Sequence, residues 1–282
     1  MTNCICCGSE KRERLAKNRF FEGAGIVRCA DCKLVYPYPR PDAERVDEFY
    51  RDSYYSYSSL IGWATRFLKL YYSGLRARSQ FKWITDNINL PRGAKVLEIG
   101  CGYGRLLELF HEHGCEIHGI EPSEDCARYT AEKFGPGVFH GTLEQYDPGN
   151  NKFDLVVCSH VFEHFIAPEE VIERLKRMLG SGGRLFFELP NQESKHYIET
   201  NYLLIPDFYF FSKKNLDSFL RAHGLELVQA GQIEFRRLLP RYDMLGHVVN
   251  YAWWAVLDVF RIGCFKPGPE DSIWLRALAA RL

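Results

Sequence analysis

The stretch Val96–Gly104, VLEIGCGYG, decides the fold. An apolar run ends in a carboxylate, Glu98, and three glycines follow at alternate positions, Gly100, Gly102 and Gly104. This pattern reads as a buried strand ending in a tight turn, with Leu106–Phe110 opening the helix that follows. Gly100 and Gly102 let the backbone pass close to a ligand that any Cβ would push away. A dinucleotide loop is normally spaced G-x-G-x-x-G and holds a pyrophosphate at the helix N-terminus. Here the spacing is E-x-G-x-G-x-G, and Glu98 would repel a pyrophosphate while attracting an ammonium or a sulfonium.

The next strand carries the argument further. Glu116–Ile120 leads into Glu121, 23 residues after Glu98, where a carboxylate can accept hydrogen bonds from both ribose hydroxyls. Two carboxylates at neighbouring strand ends suit an adenosine with a cationic tail and no phosphate, which describes S-adenosylmethionine (SAM). Further strands are expected around 138–140, at FDLVVCS (153–159), at RLFFEL (184–189), at 225–228 and at 232–239. Helices fall between them: Ser123 suits the N-cap of one, Pro168 the first turn of a second and Ser212 the cap of a third. Strands alternating with helices at this spacing predict an α/β, Rossmann-like, doubly wound, mostly parallel sheet of seven strands.

Motif by motif, VLEIGCGYG, GIEPS, GTLEQY, FDLVVCSHVFEHF and LGSGGRLFFELPN stand in the order found in class I SAM-dependent methyltransferases. The sequence resembles that family over roughly residues 91–230. The resemblance implies that Glu98, Gly100, Cys101 and Gly102 line the methionine part of the cofactor, with Glu121 on the ribose and Pro122 beside the adenine. It places Thr142, Leu143 and Glu144 around the adenine and Cys158, Ser159 and His160 at the floor of the site.

An O–H or acidic C–H acceptor needs a base within hydrogen-bond reach. SHVFEHF puts His160, Glu163 and His164 on one face if that segment is helical. The segment also resembles quinone O-methyltransferases, where an acidic residue stands in place of His160 and a divalent metal is used. His160 and His164 are therefore candidate bases, with Glu163 and His164 alternatively bracing the helix. His196, in the long loop after LPN, is the third candidate. Tyr50, Tyr54, Tyr55 and Tyr57 are candidates to close over the sulfonium by cation–π attraction, or to pack between domains.

Four of the ten cysteines open the chain as two C-x2-C knuckles, Cys4/Cys7 and Cys29/Cys32. Such knuckles supply four thiolates to a structural Zn2+, and a module this small needs a metal to fold. Cys6 competes with Cys4 or Cys7 for a place. Phe20, Phe21, Ile26 and Val27 form the apolar bridge between the knuckles. The module resembles the zinc-binding N-terminal part of bacterial methyltransferases of sugar and surface-polysaccharide pathways. Of these, the nucleotide-sugar C-methyltransferases are longer by a C-terminal domain that this sequence lacks.

The expected organisation is a zinc ribbon at 1–40, a helical connector and cofactor lid at 41–90, the SAM-binding domain at 91–240 and an amphipathic helical tail at 241–282. Lys+Arg and Asp+Glu are both 36, so a polyanionic partner is disfavoured, which weighs against a ribosomal RNA base methyltransferase with a zinc module. A small-molecule acceptor is expected: a hydroxyl or carbon of a sugar, nucleotide-sugar or related metabolite, with a quinone-type O-methyltransferase as the alternative. A binding module that keeps the fold without turnover is disfavoured by the two intact carboxylates. MTNCICCGSE lacks a secretory signal, no apolar run reaches about 18 residues, and the unpaired-thiol cysteine pattern fits the cytoplasm. GHVVNYAWWAVLDVFRIG (246–263) is apolar but for a narrow polar stripe, and is expected to pack in cis or across a dimer, with a peripheral membrane contact as the alternative.

Overall fold

The computed structural model describes residues 3–17, 23–49, 63–194, 207–235, 265–267 and 274–282. Two sheets organise them. Strands β1 (Arg12–Lys17), β2 (Gly25–Cys29) and β3 (Val35–Tyr38) form a small antiparallel sheet. Helices α1 (Ala43–Phe49) and α2 (Trp63–Asn87) precede the large sheet. That sheet is built from β4 (Lys95–Ile99), β5 (Glu116–Glu121), β6 (Val138–His140), β7 (Phe153–Ser159), β8 (Leu179–Pro190), β9 (Leu225–Phe235), β10 (Phe265–Pro267) and β11 (Trp274–Arg281). Helices α3 (Arg105–His113), α4 (Glu124–Phe134), α5 (Pro168–Met178) and α6 (Lys213–Ala222) connect them.

The spatial order is β10-β9-β11-β8-β7-β4-β5-β6. Strands β6, β5, β4, β7 and β8 pair in parallel, and β11 lies antiparallel between β8 and β9. This is the expected seven-stranded, mostly parallel Rossmann-like sheet, with the three-residue β10 added at one edge. The chain leaves β4 toward β5 and β6, then returns to place β7 on the other side of β4. Strand order therefore reverses at the β4/β7 boundary, where a doubly wound sheet opens a crevice beyond its strand ends.

Period-two alternation puts each strand's residues on both faces, and both faces are covered. Val96, Leu155, Val157 and Phe186 pack with Leu106 and Phe110 of α3 and with Ala77 and Ile84 of α2. Leu97, Val156, Phe187 and Leu189 share the other core with Ile172 and Leu175 of α5 and Leu216 and Phe219 of α6. Helix α5 begins with a proline and two glutamates and ends on Lys176 and Arg177, matching the helix dipole at each end. Ser212 caps α6 through a capping box with Asn215, as its position before the apolar run predicts.

Two expectations are corrected. Trp274–Arg281, assigned to a helical tail at 241–282, is a strand with its first seven residues buried, inserted into the middle of the sheet. Its sequence WLRALAAR is apolar but for Arg276 and the terminal Arg281, because both faces are covered. The strands expected at 225–228 and 232–239 are one continuous strand over Leu225–Phe235. The small sheet packs into the main core: Cys4, Cys29, Leu34 and Tyr36 belong to the same buried cluster as residues of α5 and α6. Phe20, Phe21, the four tyrosines at 50–57, His196 and the segment 246–263 with its dimer or membrane contact lie outside the described residues. Among the described residues no helix is long and apolar enough to cross a membrane.

Candidate functional site

The glycine turn at the end of β4 is built as its sequence requires. Gly100, Gly102 and Gly104 have φ of 67, 53 and 66°, the left-handed region that side chains resist. A Cβ on Gly100 would sit 2.6 Å from Val161 Cγ2, whereas nothing lies within 4 Å of one on Gly102. Gly102 thus faces open space at the crevice. The N–H groups of Gly100 and Cys101 both donate to the Ile120 carbonyl, tying the turn to β5.

Glu98 and Glu121 lie at neighbouring strand ends, both buried, as expected. Glu121 accepts from the N–H of Gly102 at 2.7 Å and of Ser123 at 2.8 Å, one on each oxygen. Burial pushes its carboxyl up, an effect these two donors oppose. Glu98 Oε2 is buried without a hydrogen-bond partner among the described residues. Burial pushes Glu98 up to about 8; Arg76 of α2 opposes this and the charge of Glu121 adds to it. A desolvated carboxylate with an empty oxygen is a site that a cation completes.

The remaining cofactor candidates lie at or just beyond the ends of the neighbouring strands. Cys101 is buried in the turn, and Pro122 follows Glu121. Thr142 and Glu144 are exposed beyond the end of β6, but the Leu143 side chain is buried in the main core with Cys158. Ser159 ends β7 and its Oγ accepts from Gln80 Nε2 at 2.6 Å.

Residues 160–164 are not the expected helix face. His160 has φ of 53°, its N–H donating to the Glu188 carbonyl, and only a 3₁₀ turn over Phe162–His164 follows. This backbone kink sends the two histidines to different partners. His160 Nδ1 lies 3.3 Å from Glu163 Oε1 and its Nε2 lies 3.3 Å from Glu188 Oε1. Burial depresses His160, but the two carboxylates outweigh it and raise its pKa. His164 Nδ1 instead lies 3.3 Å from Asp207 Oδ1. Glu163, His164 and Asp207 bring three ligand-type atoms within 4.8 Å of one another, and among the described residues Glu163 Oε2 is buried without a hydrogen-bond partner.

Behind His160 is a buried polar hub. Glu188, in β8, accepts from Arg276 Nε of β11 at 2.5 Å and from Gln80 Nε2 of α2 at 2.6 Å. Arg276 Nη1 continues to the Ser79 carbonyl at 3.0 Å. Burial would raise Glu188, yet Arg276 and His160 overcome it and hold the carboxyl at about 2. Sequence reasoning missed Glu188, Arg276, Gln80 and Asp207. The first two carried a signal, a lone charge inside an apolar strand in FFELP and in WLRALAA, the same signal that marked Glu98. Gln80 and Asp207 carry none.

At the N-terminus, Cys4, Cys7, Cys29 and Cys32 converge with all four sulfurs within 4.8 Å of one another. Cys4 and Cys32 are 3.4 Å apart and Cys7 and Cys29 are 3.5 Å apart. Cys6 turns aside, its thiol donating to the Asn215 carbonyl at 3.4 Å. The hydrogen bond from Cys32 holds Cys4 far below the usual thiol range, and the same bond raises Cys32.

Comparison with known proteins places this geometry. The profile described as "Methyltransferase domain" matches residues 72–230. A Coxiella burnetii protein named ubiquinone biosynthesis O-methyltransferase is 29% identical over 189 residues, covering 61% of this chain and 80% of that protein. A SAM-dependent methyltransferase from Thermotoga maritima superposes with a TM-score of 0.55 at 20% identity, covering 78% of this chain and 96% of the other. The magnesium protoporphyrin IX methyltransferase of Synechocystis, solved with bound S-adenosylhomocysteine (SAH), superposes with a TM-score of 0.54 at 15% identity, covering 86% and 100%.

Proposed function

The chain belongs to the methyltransferase-domain family and is a SAM-dependent methyltransferase, and from that premise we propose that it methylates a hydroxyl oxygen of a small molecule of the quinone-precursor type. The cofactor lies in the crevice over Gly100–Gly102, with its cationic methionine end toward Glu98 and its ribose on Glu121. The observation that carries the acceptor reading is the Glu163–His164–Asp207 cluster just past the end of β7, on the ligand side of the sheet. Methyl transfer is an in-line displacement at sulfur, so the acceptor oxygen must be positioned and its proton removed. His164, oriented by Asp207, is the group suited to take that proton. His160, with a carboxylate against each ring nitrogen, serves as a fixed cation that shapes the wall.

Two carboxylates and an imidazole, one carboxylate oxygen lacking a hydrogen-bond partner among the described residues, also fit a divalent cation. Such an ion bound to Glu163, His164 and Asp207 would lower the pKa of a hydroxyl near it. The relative named for ubiquinone biosynthesis supports an aromatic hydroxyl over the sugar acceptor that the N-terminal module suggests. The four clustered thiols fit a structural Zn2+. Transfer of labelled methyl from SAM to a catechol, a nucleotide-sugar and a ribosomal RNA fragment, each with Mg2+ and with chelator, tests the proposal. Transfer to the catechol is expected; transfer to the sugar or RNA alone would reject it.

A further inference from the structure

One segment, Asp207–Phe211, joins the four-cysteine module to the acceptor side of the site. Its backbone is held along its length. The Phe208 N–H donates to the Glu163 carbonyl at 2.8 Å, and the Phe210 N–H donates to the Val35 carbonyl of β3 at 3.0 Å. The Phe211 carbonyl accepts from the Gln192 N–H at 3.0 Å. Val35 and Phe210 form an antiparallel bridge, and Asn191 and Phe211 a parallel one. Phe208, Tyr209, Phe210 and Phe211 are all buried, and the residue that opens the segment, Asp207, is the one against His164.

A side-chain route runs beside this backbone route. Gln192 Nε2 donates to the Lys33 carbonyl at 2.6 Å, while its Oε1 accepts from Asn215 Nδ2 at 2.8 Å. The Asn215 carbonyl in turn accepts from the Cys6 thiol. Lys33 directly follows Cys32, and the Cys29 N–H closes that knuckle onto the Leu34 carbonyl at 2.9 Å. The carbonyls that meet the catalytic domain, those of Lys33 and Val35, thus lie within three residues of a thiol ligand.

From this geometry we infer that Asp207–Phe211 is a strap through which the four-cysteine module positions Asp207 and Glu163 against His164. The module is then a working part of the acceptor site. A knuckle fixed by a metal holds the Lys33 and Val35 carbonyls in place; a knuckle without one releases them, because so small a module has little core of its own. Packed contacts pass such a change on in discrete steps and do not absorb it smoothly. The inference rests on the two readings above, of the thiols as a metal site and of residues 163, 164 and 207 as the acceptor side.

Amide hydrogen exchange at Phe208, read on the full chain with SAH affinity measured in parallel, tests it. Chelation should speed exchange at Phe208 at least tenfold, added Zn2+ should restore it, and SAH affinity should change less than twofold. Gln192→Leu should speed the same amide in the zinc-loaded chain, and zinc added after chelation should not bring that variant to the wild-type rate. In a chain shown to hold zinc before chelation, unchanged exchange at Phe208 after it overturns the strap, and so does unchanged exchange in Gln192→Leu. Absence of zinc on elemental analysis rejects the metal reading alone, and loss of SAH affinity on chelation reports general unfolding. In both cases the Gln192→Leu exchange decides the strap.

Discussion

Glu98, one residue before the end of β4, has an oxygen with no hydrogen-bond partner among the described residues, and that shortage is informative. Its carboxyl is raised in the folded state to about 8, against an ordinary value of 4.5. A raised carboxyl contributes stability that is fully present below the unfolded value and is lost as pH rises through the folded one. The cofactor-free protein should therefore lose stability between about pH 4.5 and 8, and Glu98→Gln should not. Thermal melts at pH 5 and pH 9 check this: the variant should melt several degrees above wild type at pH 9 only, at about 2–4 °C per kcal/mol for a chain of this size. The same substitution should weaken SAM binding about tenfold or more by calorimetry, because it removes the charge that meets the cationic tail. Glu188 is the opposite case. Its carboxyl is held at about 2 by Arg276, so its contribution is present above pH 4.5 and is lost as pH falls toward 2. Glu188→Gln leaves Arg276 buried without a counter-charge and should cost about 3–5 kcal/mol in denaturant melts at pH 7.

At the scale of elements, the turn after β4 was legible because glycine has few reasons to recur at alternate positions, and each one here has φ above 50°. Gly100→Ala should destabilise the chain by about 1–3 kcal/mol and weaken SAM binding, since the new Cβ would meet Val161 Cγ2 at 2.6 Å. Adding Val161→Ala should recover the part due to the clash and leave the part due to backbone strain, so the double variant should fall between the single one and wild type in thermal melts. The 160–164 segment was misread for a reason that can be stated. Its histidines and glutamate have helical spacing, but the left-handed backbone at His160 breaks the periodicity, and nothing in S-H-V announces it. Positive φ at a non-glycine residue is set by tertiary contacts, here the Glu188 carbonyl.

Across the whole molecule, the parallel half of the sheet and its cofactor crevice could be read from strand–helix alternation, because each unit is local in sequence. The antiparallel half could not. Strand β11 reaches its partners across about ninety residues, pairing with β8 at Ala277↔Phe187, and a short apolar run gives no sign of such a register. Asp207 was invisible for the same reason, since it joins His164 only through the segment strapped to β3. Removing residues 274–282 should leave β8 and β9 with unpaired edges. Far-ultraviolet circular dichroism and SAH binding should then both show loss of the native state, where trimming an appended helix would leave them intact.

The placement of β11 also has a consequence for biosynthesis. A ribosome delivers β4, β7 and β8 long before Trp274 emerges, so the growing chain carries the glycine turn and both acidic strand tips on a sheet that is still split. Glu188 waits in that period without the guanidinium that neutralises it. Translation arrested anywhere before Trp274 therefore yields a substrate for proteases and chaperones, not a slower enzyme.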